Sequence, residues 1–433
     1  MNEVFSGVPE AFDYWWLVVP LIIFFVLKDW WRIYIVDKHI DSLEWVLLEL
    51  NIPKENLRSI KAMDQVVAAL HGTYTYGLRP SEIWIEGKVE DWMSLEMVGF
   101  ADGVHFYIRS LKKYRKLVEA AVFSQFPDSE IFEVEDYVNR IKDKPFENKD
   151  VFATDFKFVK DDVYPIRTYE YFEDNQEENR MDPIGVITEI MSRLEANEAL
   201  WIQLLIQPTG TEWVEDGERK ISELMGREDK SKSKSVLSEV ARDIGDVLKS
   251  LPTAPITAPE FGSGENGKEA KIEFKLRSPA EDSAMKAITN KMSKPAFNSI
   301  LRFVYIDDRD EFTGENVTSV LGAFRQYSDQ NLNSLRPNLA TLTKKSQVGK
   351  INKAKRLADR KKKMVINYIN REIPRPVTFP FTKELKLKTF ILNTEEVASL
   401  FHMPTDFVKS KKTQTIQSKR GESPTDLPTK ERN

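Results

Sequence analysis

Residues Tyr14–Leu27 read YWWLVVPLIIFFVL, fourteen positions without a charge. Such a run constrains the chain more than any other feature, because it has to be hidden from water. A membrane-crossing helix needs about 20 apolar residues, and the flanks extend this one through Ala11 and Phe12 on one side and Trp30, Trp31, Ile33, Tyr34 and Ile35 on the other. Trp15 and Trp16 stand at one boundary, Trp30 and Trp31 at the other, in the pattern of interfacial aromatic anchors. Lys28 and Arg32 are long enough to reach headgroups, and Pro20 is tolerated in such helices. A cleaved signal peptide would start basic, whereas this chain starts with Glu3, Glu10 and Asp13. A buried soluble helix seldom carries Trp at both ends. The reading is a single-pass anchor over 1–36. Lys and Arg are absent before the run, and Lys28, Arg32 and Lys38 follow it. The positive-inside rule then puts the bulk of the chain in the cytoplasm.

The remainder has a globular composition, 41% hydrophobic and 30% charged. Cysteine is absent, which excludes disulfides, thiolate metal sites and Cys nucleophiles. The four histidines (39, 71, 105, 402) are scattered, and no HExxH, Ser-His-Asp or paired-carboxylate pattern stands out. Neither a metal site, a cofactor nor a catalytic residue is expected.

Hydrophobic spacing predicts α+β architecture behind the transmembrane helix: two ferredoxin-like α/β domains, the second with a helical insertion. In the first, over 37–145, a strand at Trp45–Ile52 precedes a helix at Ser59–Leu70. Strands at Trp92–Phe100 and Val104–Ser110 follow, joined by the turn Ala101-Asp102-Gly103. A helix at Lys112–Phe126 and a strand at Glu130–Val134 complete the βαββαβ order. The second unit, over 146–405, begins with extended Val151–Tyr169. It continues with a helix after Asp182-Pro183, a strand at Leu200–Gln207, a helix over 236–248 and a Pro/Gly/Ser-rich flexible insertion near 251–268. A helix at Ala280–Met292, a strand at Ser299–Ile306, a helix through Val317–Phe324 and a strand at Leu385–Leu392 complete it. Asn393-Thr394-Glu395-Glu396 reads as a capping box. A polar tail covers 406–433.

Gly262–Lys268 (GSGENGK) nearly spells a phosphate-binding loop, but Glu269 stands where Ser or Thr would hold magnesium, and residues 271–276 alternate like a strand. The context argues against a nucleotide site. Asp307, Asp308, Asp310 and Glu311 crowd one stretch without EF-hand spacing, and read as a solvated turn.

Residues 344–363 carry ten Lys/Arg against Asp359 alone, with Val348, Ile351, Ala354 and Ala358 as an apolar stripe. Lys353, Lys355, Arg356, Arg360, Lys361, Lys362 and Lys363 are candidate contacts to phosphates of DNA or RNA, or to anionic lipid. A solvated helix face is the alternative. Few aromatics interleave them, so base stacking is not indicated.

Six phrases carry a resemblance: WVLLELNIP (45–53), SLEMVGFADGVHFYIRSL (94–111), AVFSQFPDSEIFEVEDYV (121–138), DVYPIRTYE (162–170), WIQLLIQP (201–208) and FILNTEEVASLFHMPT (390–405). They resemble the membrane-anchored N-terminal domain of unknown function of candidate-phyla bacterial proteins. That domain is similar to the region preceding the motor of HerA/TraD-like type IV secretion coupling ATPases. The resemblance implies a non-enzymatic adaptor at the bacterial inner membrane, part of a conjugation-like or type IV secretion-like apparatus. It also implies either a separate motor ATPase as partner or a truncated form of a longer ATPase; a homo-oligomer is a further expected partner, which the resemblance does not decide. None of the matching residues is catalytic.

Overall fold

The computed structural model describes residues 15–53, 58–139, 148–172, 182–225, 278–344, 347, 352–374, 388–404 and 415–416. The helix over 236–248, the insertion near 251–268, the phosphate-loop-like segment and the strand-like stretch 271–276 lie outside them, as does most of the tail.

A 27-residue helix, α1 (Trp15–Asp41), leads into the strand β1 (Trp45–Pro53) and the helix α2 (Ile60–Leu70). A short turn of helix, α3 (Pro80–Trp84), precedes the hairpin β2 (Met93–Phe100) and β3 (Gly103–Leu111). The hairpin turns at Ala101-Asp102, and Gly103 takes a positive φ of 145° there. Then come α4 (Arg115–Gln125), β4 (Glu130–Glu133), β5 (Lys149–Phe158), α5 (Gly185–Ser192), β6 (Ala199–Thr209) and α6 (Glu212–Leu224). After the insertion follow α7 (Pro279–Met292), β7 (Ala296–Asp308), α8 (Glu315–Ala323), β8 (Leu335–Pro337), α9 (Lys353–Ile369), β9 (Phe390–Asn393), α10 (Thr394–Leu400) and the two-residue β10 (Thr415–Ile416).

Local sequence explains several boundaries. Ser278 accepts the Glu281 amide, the Glu281 carboxylate returns to the Ser278 amide, and Pro279 opens α7 where its missing N–H costs nothing. Asn393 and Glu396 form the same reciprocal box at α10, at 2.9 and 3.0 Å.

All ten strands join one sheet, whose main path runs β10-β1-β3-β2-β6-β7-β5-β8, with β4 beside β1 and β9 beside β7. Within it, β4-β1-β3-β2 and β8-β5-β7-β6 are both antiparallel and have the same 4-1-3-2 order. The two quartets meet where β2 pairs with β6, from Met93↔Ile206 to Gly99↔Leu200. The two quartets thereby form a mixed α/β body built on one large antiparallel sheet. The quartets join there because β2 and β6 are buried on both faces, so neither is left as an open edge.

The transmembrane expectation is overturned. Among the described residues no helix is long and apolar enough to cross a membrane. The uncharged part of α1 ends at Leu27, and at about 1.5 Å per residue its thirteen positions from Trp15 reach only about 20 Å of the roughly 30 Å hydrocarbon core. The flanking aromatics that the sequence reading added to the span belong to a half-helix folded onto the body.

Strand alternation sorts the core. One face buries Val46, Leu48, Met97, Phe106, Ile202, Phe303 and Tyr305 beneath α2, α4, α5, α8 and α10. The other buries Val98, Tyr107, Trp201 and Val304 against Met364, Val365 and Tyr368 of α9. A third cluster, Trp92, Leu205 and Ile300, lies on that second face and packs with Ile40 of α1.

Candidate functional site

Two features stand out on this second face: α1 with its socket, and α9 with the polar row beneath it.

The C-terminal half of α1 is clamped. Ile35 and Val36 are buried, as are Asp29 and Arg32. The Arg32 guanidinium donates to the carbonyls of Ile83 and, at 3.3 Å, Lys88. Burial lowers its pKa, but an arginine stays protonated. Trp31 Nε1 donates to Trp84 O at 3.0 Å. Gly87 sits at φ +70°, and a Cβ there would lie 2.2 Å from the Ile35 carbonyl oxygen. This glycine lets the loop after α3 touch the α1 backbone.

The other half is bare. Leu21, Ile22, Ile23, Phe24, Val26 and Leu27 are all exposed. They span nearly two turns, so every side of the helix is apolar and uncovered there. Of the proposed anchors, Trp16 (57%), Trp30 (67%) and Trp31 (48%) are exposed. Trp15 opens α1, and its side chain lies outside the described residues. Trp84 and Ile85 continue the apolar surface onto the body, and Lys28 Nζ lies 5.1 Å from the Trp84 ring.

The basic helix runs over 353–369 rather than 344–363. Its buried stripe is Leu357, Met364, Val365 and Tyr368, while Ala354 and Ala358 are exposed, and Val348 and Ile351 lie outside the described residues. The expected stripe is therefore shifted around the helix, because the larger side chains follow the basic run. Lys353, Lys355, Arg356, Lys362 and Lys363 face solvent. Lys361 pairs with Asp150, and Arg360 donates to the carbonyls of Leu342 at 2.9 Å and Gln347 at 3.3 Å.

Beneath the C-terminal end of α9 is a set of residues that the sequence reading did not single out. Glu96, Gln203, Arg302 and Asp155 occupy directly opposed positions on β2, β6, β7 and β5. Glu96, Gln203 and Arg302 each interrupt a mostly apolar stretch of strand, which is the signal available, whereas Asp155 lies among other polar residues of β5. Gln203 bridges the junction, donating to Glu96 Oε1 at 3.0 Å and to Tyr368 O at 3.1 Å. Arg302 binds Asp155 at 3.1 Å and the carbonyls of Asn367 and Glu372 at 2.8 and 2.6 Å. Arg371, with φ +50°, donates to both oxygens of Glu96 and both of Asp136. Tyr137 donates to Glu96 at 2.7 Å. Burial alone would raise the Glu96 pKa, but Arg371 and the donated hydrogen bonds hold it down to about 2. Burial raises Asp155 despite Arg302 beside it. Apart from Asp155 Oδ2, which is buried without a hydrogen-bond partner among the described residues, these contacts fill the row's donors and acceptors from within the chain, so the row serves as a clasp for α9.

The acidic stretch is not assembled as a cation site. Asp307 accepts from Tyr305 OH at 3.0 Å and the Asp308 amide at 2.7 Å, and Asp308 pairs with Lys149 at 3.0 Å. Among the described residues no three His, Asp or Glu side chains gather as metal ligands would.

A family model described as a domain of unknown function, DUF8128, matches residues 39–418. The chain belongs to the DUF8128 family. The match takes in the whole sheet and both faces, and it begins at the last turn of α1, so the bare apolar half precedes the DUF8128 region. No curated protein matches the chain.

Proposed function

We propose that this DUF8128 chain is a membrane-tethered, non-enzymatic adaptor, held at a bilayer surface by the apolar end of α1 without crossing it. The observation that carries this reading is the division of α1 into a half locked to the body and a half with apolar side chains exposed on every side. Apolar surface gathered in one place on this scale marks an interaction site. At the junction, Trp30, Trp31, Tyr34 and Trp84 are exposed beside Lys28. Rings with an apolar body and a polar edge suit the headgroup layer.

The finer reading assigns the body to a conjugation-like or type IV secretion-like apparatus at the bacterial inner membrane, in contact with a separate ATPase. It is supported by the six phrases resembling the region that precedes HerA/TraD-like motors.

The test is vesicle flotation of the full chain and of Ile23→Asp/Phe24→Asp. Both side chains are exposed, so the body tolerates the change. Wild type is expected to float and the variant to stay at the bottom. Equal flotation of the two would sink the tether, and ATP hydrolysis by the purified chain would overturn the non-enzymatic reading.

A second reading has its own observation: five exposed cations on α9 with Asp359 as the helix's only acid. It assigns nucleic-acid binding to that face. A salt-dependent electrophoretic shift of DNA, lost in Lys355→Glu/Lys362→Glu, is what it requires.

A further inference from the structure

Lys157 on β5 and Arg336 on β8 are direct cross-strand partners. Like charges opposed in this way destabilise a strand pair, and neither has a carboxylate partner among the described residues. Both line a cleft of about 550 Å³, walled by α6 and by the chain entering β9. That volume is in the range of small-molecule sites.

The other charges in the cleft are mostly spoken for. Arg219 pairs with Asp216, and Lys220 pairs with Glu223 at 3.1 Å and lies 3.9 Å from Asp161. Lys160 donates to the carbonyl of Gln330 at 2.7 Å. Asp162 shares the fields of the buried Lys291 and of Lys388. Lys388, exposed, approaches from a third segment of chain. The surplus is positive, and it is concentrated on Lys157 and Arg336, with Lys388 across the opening.

We propose that this cleft binds a phosphate-bearing small molecule of about the size of a diphosphate, held by Lys157 and Arg336. A planar guanidinium beside an ammonium suits phosphate oxygens: the first donates in a fork and the second supplies a compact charge. A bound dianion removes the repulsion across β5 and β8, so binding also ties β8 more firmly to the sheet. The acids Asp161 and Asp162 favour a ligand seated toward β8 rather than over the chain at 161–162.

The experiment is calorimetric titration of the full chain with inorganic pyrophosphate. Single-site, saturable binding is expected. Arg336→Ser and Lys157→Ser should each weaken it by at least about tenfold, the loss of one charge-assisted contact. Lys116→Ser on α4, exposed and outside the cleft lining, should leave it unchanged. Arg336 is exposed, so its variant decides the matter alone if Lys157→Ser fails to fold. No saturable binding, binding that survives Arg336→Ser, or an equal loss with Lys116→Ser would each overturn the proposal. Citrate binding as tightly as pyrophosphate would overturn the assignment to phosphate.

Discussion

Glu96 and Arg371, 275 positions apart, meet in a doubly bonded ion pair at 2.9 and 3.1 Å with neither side chain more than 1% exposed. Glu96 belongs to β2, and Arg371 follows α9, so the pair fastens the last helix of the second face to the middle of the sheet. Removing one member of a buried pair leaves the other charge without its partner, at a cost of about 3–5 kcal/mol. Arg371→Met is therefore expected to lower unfolding stability by that amount. Denaturant titration followed by tryptophan fluorescence measures it, since Trp201 packs 5.2 Å from Tyr368 of α9. A loss under about 1 kcal/mol would show that α9 is held by its apolar stripe alone.

The same pair sets an acid limit. Glu96 has its folded pKa lowered, to about 2 from an ordinary 4.5. A lowered acid pKa means that the unfolded chain binds the proton first as pH falls. The stabilisation is complete above about pH 4.5 and is lost as pH falls through the folded value near 2. The slope of unfolding free energy against pH is expected to be shallower across that window in Glu96→Gln than in wild type. Superposable slopes would remove Glu96 from the acid transition.

His105 acts in the opposite direction. Burial lowers its pKa, but the Glu49 carboxylate at 2.7 Å and Asp102 at 3.3 Å outweigh burial and raise it above 6.5. A raised histidine pKa contributes stability that is fully present below the unfolded value and lost as pH rises through the folded one. Nuclear magnetic resonance titration of the imidazole is expected to place its midpoint above 6.5. Glu49→Gln should bring that midpoint down, and an unmoved midpoint would separate the two residues.

Period-two and helical spacing located β1, the β2–β3 hairpin, α2, α7, β7 and the Asn393–Glu396 cap close to where they lie, because each is decided within a few residues. The joining of β2 to β6 is not legible in the sequence: it depends on which strand finds which, and both are buried on both faces. The polar row was visible only as isolated Glu96, Gln203 and Arg302 in apolar strands. Their alignment is a matter of register, which no single strand specifies. For the basic helix the run of charge is legible but the buried side is not, since Met364, Val365 and Tyr368 fall after the run. The N-terminal run reads as a span because Trp30, Trp31 and Ile35 add apolar length in sequence, whereas in the structure Arg32 and Asp29 among them are drawn into the body.

The docking of α1 includes one close backbone approach. Gly87 holds a positive φ and brings its loop against the Ile35 carbonyl, where a Cβ would stand 2.2 Å away. Gly87→Ala meets both obstacles together, a backbone conformation that disfavours a side chain and backbone atoms that have no room to yield. The expected result is local, a loss of about 1–3 kcal/mol confined to the α1 contact. Hydrogen exchange should then quicken over residues 29–41 and the loop at 83–88 while β2, β6 and β7 stay protected. With α1 released, Trp31 loses its hydrogen bond to the Trp84 carbonyl, so its emission should shift to the red. Unchanged exchange over 29–41 would mean that Arg32 and its carbonyl partners hold the helix without the loop's close approach.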